Sequence, residues 1–104
     1  MKYEGNLILA GFENGGINGY DSRTKGKILS FVYGDWVRAL SIVGNAVVAG
    51  GESGELKIFD MRGGSAARST IGAHEGKVMA IDSIDTMIVS GGSDGKVSKF
   101  NFIE

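Results

Sequence analysis

At 104 residues and 42% apolar content, with no run approaching the roughly 20 apolar residues of a membrane-spanning helix, the sequence reads as one globular domain rather than a membrane protein. Eleven Lys and Arg against 12 Asp and Glu leave a net charge of −1, too little cationic field for a phosphate backbone, and the lack of cysteine excludes disulfides and thiolate metal sites. Eighteen glycines and no proline favour many tight turns over long helices.

Met1 to Glu4 can supply the tail of a first strand. The stretch LILAGFENGGINGYD (7–21) follows as an apolar run, a polar turn ending in glycine, and a second run closing on an aromatic residue, which is the pattern of a hairpin. KILSFV (27–32) and WVRALSIV (36–43) read as two further strands, and AVVAGGESGELKIFD (46–60) repeats the hairpin. AARSTI (66–71) and KVMAID (77–82) add two strands before MIVSGGSDGKVSKFN (87–101) repeats it again. Ten short strands are expected besides the N-terminal tail, and no segment holds a 3.6-residue apolar period, so little or no helix is expected.

The three hairpins align without gaps. Gly11, Gly50 and Gly91 fall in one column, 39 and then 41 residues apart, and Gly15, Gly54 and Gly95 fall in a second. Before the second column stand Asn14, Ser53 and Asp94, short polar side chains able to bond turn amides, while glycine accepts the positive φ of such turns. A repeat of about 40 residues holding four strands is the signature of propeller blades.

On these columns, and on Ser90 to Asn101 with Ala73-His74 ahead of it, the chain resembles the WD40-repeat family over essentially its whole length. The resemblance implies an all-β fold, a partial β-propeller of four-stranded antiparallel blades. Residues 1–32 would form a partial blade, 33–71 a full blade and 72–104 a second partial blade. It also implies a structural tetrad of His74, Ser90, Asp94 and Phe100, with Phe100 standing where the family has Trp. In the middle repeat Tyr33, Ala49, Ser53 and Phe59 occupy those positions and are expected to form no tetrad. The family's Trp-Asp pair survives as Tyr20-Asp21, Phe59-Asp60 and Phe100-Asn101.

Several segments invite a chemical reading. Gly91 to Lys96 approaches a phosphate-binding loop, but that motif needs glycine at position 90 and Ser or Thr at 97, where Ser90 and Val97 stand, and a helix after the loop. His74 is the only histidine, and neither Glu75 nor Asp82 stands at the spacing of a known catalytic motif. One histidine, no cysteine and no Asp-x-Asp-x-Asp-Gly loop argue against a metal or other cofactor. Arg23, Lys25 and Lys27 form a small basic cluster expected to be solvated. The family geometry places Trp36, the one tryptophan, on a rim with Phe12, Glu13, Tyr33, Arg38, Glu52, Lys77 and Met79, where interface hot spots favour Trp, Tyr and Arg.

The expected function is a non-enzymatic scaffold that binds a protein, such as a substrate-recognition or adaptor module. A second reading is an oligomeric binder of small ligands or carbohydrate, with Trp36 and Tyr33 stacking on the ligand. Two and a half repeats bury their outer faces only against something else, so either missing blades of a longer propeller or copies of the chain are expected to cover them. No nucleic acid and no membrane are expected as partners. An N-terminus without a signal-peptide apolar stretch, and the lack of any N-x-S/T triplet, fit the cytosol or nucleus.

Overall fold

The computed structural model describes residues 2–4, 7–23, 26–62, 67–84 and 86–101. Among these residues eleven strands run in chain order: β1 (Lys2–Glu4), β2 (Leu7–Gly11), β3 (Gly16–Asp21), β4 (Lys27–Val32), β5 (Val37–Val43), β6 (Ala46–Gly51), β7 (Glu55–Asp60), β8 (Ser69–Gly72), β9 (Val78–Ile84), β10 (Met87–Gly92) and β11 (Val97–Asn101). They form three antiparallel sheets, ordered β1-β2-β3-β4, β5-β6-β7-β8 and β9-β10-β11, and no helix occurs among the described residues. The N-terminal tail pairs Glu4 with Leu7, which makes the first sheet four-stranded. The strand read as 66–71 occupies Ser69–Gly72, and that read as 77–82 extends to Ile84, because β9 pairs with β10 as far as Met87 opposite Ile84.

Each hairpin turns on a glycine of the second column, and Gly15, Gly54 and Gly95 have φ of 89°, 80° and 79°. Side chains carrying a Cβ rarely adopt that region, so the column is fixed by backbone sterics. Asn14 Oδ1 accepts from the Gly16 amide at 2.9 Å, and Asp94 Oδ1 accepts from the Lys96 amide at 3.1 Å. The Tyr20-Asp21 and Phe59-Asp60 pairs also have a local cause. Asp21 Oδ1 accepts from the Arg23 amide at 2.8 Å and Asp60 Oδ1 from the Arg62 amide at 2.9 Å, so each Asp folds the chain back after its strand.

The sheets pack face to face through two apolar clusters. Leu9, Ile17 and Phe31 of the first sheet meet Val37, Leu40, Val47 and Phe59 of the second, with Phe31 and Phe59 rings 5.0 Å apart. Val48, Leu56 and Ile58 of the second meet Val78, Ile81 and Ile88 of the third, and Phe100 packs against this cluster. Close approach depends on the first glycine column. A Cβ on Gly50 would stand 2.6 Å from Val78 Cγ1, and one on Gly11 would collide with Val37, so the missing side chain admits a β-branched one from the next sheet. Backbone bonds join the same places: Tyr33 N–H donates to Gly15 O at 2.8 Å and His74 N–H to Gly54 O at 3.1 Å.

Candidate functional site

Two side-chain assemblies stand out, one buried and one on a rim. The buried one is the node around His74, whose side chain is fully enclosed. His74 Nδ1 lies 3.1 Å from Asp94 Oδ1 and Nε2 lies 2.9 Å from Ser90 Oγ. A carboxylate only accepts, so Nδ1 carries the proton on the Asp94 side, while Nε2 and the Ser90 hydroxyl share the second bond. Asp94 also accepts from the amides of Lys96 and Glu75. Burial works against its charge, but these donors and His74 outweigh burial and hold the Asp94 carboxyl below the usual aspartate range.

Ser, His and Asp in this order have the connectivity of an acyl-transfer triad. Ser90 is 0% exposed, however, so no substrate reaches its hydroxyl, and the node acts as a clamp between β10, the β10–β11 turn and the entry to β9. Phe100 has no polar atom to add and enters the apolar packing instead. The turn's amides are likewise engaged: Gly92 N–H donates to Lys96 O, Ser93 N–H to Lys77 O and Gly95 N–H to Gly92 O. With the Lys96 amide on Asp94, this turn holds no cradle for phosphate.

Tyr33 occupies the His74 column in the middle sheet, and here the structure corrects its expected place on the rim. Its side chain is 1% exposed, so it contributes nothing to a solvent-facing rim. It also forms a reduced version of the node, its hydroxyl lying 2.8 Å from Ser53 Oγ and donating to Glu55 O at 2.6 Å. Lys57 Nζ donates to Tyr33 O at 2.5 Å. Burial, the largest influence, raises the phenol above its ordinary value despite the bond to Ser53. Tyr33→Phe should cost about 1 kcal/mol in urea unfolding. The raised folded value means that stability is full below the unfolded value near 10 and falls as pH rises through the folded one, and the Phe variant should lose that alkaline limb.

The rim assembly begins at Trp36, 38% exposed just ahead of β5. Arg38 Cζ stands 4.2 Å above the indole centroid, a cation–π contact. Arg38 Nε donates to Glu52 Oε1 at 2.6 Å and its guanidinium closes an ion pair on the same carboxylate, while Lys77 Nζ approaches Glu52 Oε2 at 3.7 Å. Trp36, Arg38, Glu52 and Lys77 thus form one ladder from the second sheet to the third.

A β-bulge places Arg38 there. The β5–β6 register jumps from Val37 opposite Gly51 to Ala39 opposite Gly50, leaving Arg38 as the extra residue, and Met79 is the extra residue in the matching shift between β9 and β10. Both side chains are thereby released from the alternation of their strands, and Met79 is exposed. Phe12 is exposed beside the ladder, its carbonyl accepting from the Val37 amide at 3.2 Å. Glu13 is exposed and is tied to no ladder residue by a hydrogen bond or ion pair. In the basic cluster Arg23 pairs with Asp21, Lys27 is exposed, and Lys25 lies outside the described residues. No group of three or more metal-binding side chains forms among the described residues.

No protein-family model matches the chain. The human F-box/WD repeat-containing protein 8 is 40% identical over 58 residues, covering 56% of this chain, which spans 10% of that protein. Among solved structures, the computationally designed Ika4 protein superposes with a TM-score of 0.87 at 24% identity, covering 97% of this chain and 63% of that one. U3-55K superposes at 0.85 with 18% identity over 94% of this chain and 31% of that one. The RRP9 WD40 repeats superpose at 0.82 with 19% identity over 94% of this chain and 33% of that one.

Proposed function

We propose that this chain, whose fold is that of WD40-like propeller blades, is a protein-binding scaffold that presents the Trp36–Arg38–Glu52–Lys77 ladder to its partner. The observation that carries the reading is the exposed indole already stacked under Arg38, with Arg38 already tied to Glu52. Trp and Arg dominate interface hot spots, and side chains ordered before binding lose little entropy on binding. Phe12 and Met79 widen the apolar part of the surface. The ladder carries both signs of charge, which suits a protein surface of mixed polarity better than a polyanion.

The human relative's name joins WD repeats to an F-box, and on that footing the finer role is an adaptor or substrate-recognition module working in the cytosol or nucleus. Its task is binding rather than chemistry, since the one Ser-His-Asp arrangement is sealed from solvent.

Trp36 is the only tryptophan, so its fluorescence reports directly on the surface. Peptides selected from a random displayed library against the folded chain should shift Trp36 emission on binding. Arg38→Ala and Lys77→Ala should each weaken them at least about tenfold, the size of a typical hot-spot loss of ~1.4 kcal/mol or more. Binders that leave Trp36 emission unchanged and tolerate both substitutions would overturn the reading. A glycan array is the parallel screen, and saturable sugar binding that shifts Trp36 emission would replace protein by carbohydrate as the ligand.

A further inference from the structure

The two outer faces of the molecule are opposite halves of an interface that it already builds twice. One face of each sheet carries Leu9, Gly11 and Ile17 in the first, Val48, Gly50 and Leu56 in the second, and Val89, Gly91 and Val97 in the third. In the first two sheets this face is covered by the next sheet, and Leu9, Ile17, Val48 and Leu56 are all 0% exposed. In the third, Val97 is 70% exposed, and a Cβ on either Gly91 or Gly95 would meet nothing within 4 Å. Gly50 and Gly54, in the same columns, are pressed against Val78 and against the carbonyls of His74 and Gly76.

The reverse face shows the complementary pattern at the other end. Val47 and Phe59 in the second sheet and Ile88 in the third are buried against the preceding sheet. Their columns in the first sheet hold Ile8 and Tyr20, which line an open and largely apolar hollow of about 420 Å³ together with Asp21 and Ser22. One end of the chain therefore offers the receiving half of the contact and the other end the inserting half.

We propose that these halves meet between copies, the Ile8–Tyr20 face of one chain docking on the Val89–Val97 face of a second in the same head-to-tail sense as the sheets within each chain. The support is continuity with the two internal contacts: the same columns carry Ile8 and Tyr20 on one side and Val89 and Val97 on the other, with exposed Lys99 beside Val89 where the second sheet has Ile58. A heterologous contact of this kind leaves one free face at each end of a dimer, so assembly continues until a ring closes or a filament grows. The contact joins separate molecules, so it depends on concentration, unlike the contacts within the chain. The lateral faces are separate from the Trp36 ladder, and this inference stands whatever that ladder binds.

The test is the molar mass of the full chain by light scattering over a concentration series. The wild type should rise from one chain toward multiples of it. Val97→Lys and Tyr20→Lys should each weaken association at least tenfold, with circular dichroism and thermal melts matching the wild type. Ile8→Lys replaces Tyr20→Lys if the latter unfolds. An equimolar mixture of the Val97→Lys and Tyr20→Lys proteins should form a dimer and nothing larger, because each retains the one face that the other has lost. Trp36→Ala should assemble as the wild type does. A wild type that stays monomeric at every concentration, folded variants that assemble like the wild type, a mixture that stays monomeric, or assembly lost in Trp36→Ala would each overturn the proposal.

Discussion

Gly50→Val should lower the stability of the chain by about 3 kcal/mol, while Gly91→Val, one repeat later in the same column, should change it by about 0.5 kcal/mol or less. A Cβ on Gly50 alone stands 2.6 Å from Val78 Cγ1, 2.8 Å from Val78 Cβ and 3.1 Å from Ile81 Cδ1. A full valine can be accepted only if the second and third sheets part, uncovering Val48, Leu56 and Ile88. At Gly91 nothing lies within 4 Å, and a β-branched residue suits an extended backbone better than glycine does. Urea unfolding of the two variants checks the pair, run at concentrations where the chain is monomeric. An equal loss in both would place the cost in the strand backbone and not in the contact between sheets. Gly51 should be less tolerant still of Ala, since its Cβ would strike the Trp36 carbonyl, a backbone atom with no rotamer to escape through.

The glycine columns made the sheets legible from sequence because they are periodic and because each serves a local need, a positive φ in the turn or room for the next sheet. Apolar alternation likewise marked most strand limits. The limits that shifted lie where pairing decides the boundary, as at Ile84, which continues β9 only because Met87 stands opposite. The rim was legible in part. Columns could bring Trp36, Glu52 and Lys77 to one end of the sheets, but the release of Arg38 depends on a bulge. Its trace in the sequence is a break in alternation, apolar residues at 37, 39 and 40 and again at 78, 80 and 81. Tyr33 was misread because its ring suits an interface as well as a core. Its place in the His74 column was the signal that it turns inward, and the short polar Ser53 in the Asp94 column was the signal that its hydroxyl has a partner.

His74→Ala should cost about 3 kcal/mol, more than Ser90→Ala at about 1 kcal/mol, because the two truncations leave different things behind. Without the imidazole, the Ser90 hydroxyl is buried with no partner, Asp94 loses one of its donors, and the space of an enclosed ring stands empty. Without the Ser90 hydroxyl, His74 keeps Asp94 and loses only the bond at Nε2. The node also sets the response to acid. The folded Asp94 carboxyl lies below its unfolded value, so the native state binds fewer protons than the unfolded chain between the two. Its contribution is therefore complete above the unfolded value near 3.9 and is lost as pH falls through the folded one. Asp94→Asn should be less stable at neutral pH and should show a flatter decline in acid. Asp60, the last residue of β7, is also held below the ordinary aspartate range by hydrogen bonds from the Arg62 side chain and amide, so Asp60→Asn is the comparison that isolates the node. If Asp94→Asn keeps the wild-type acid limb while Asp60→Asn loses it, the turn after β7 and not the His74 clamp governs unfolding in acid.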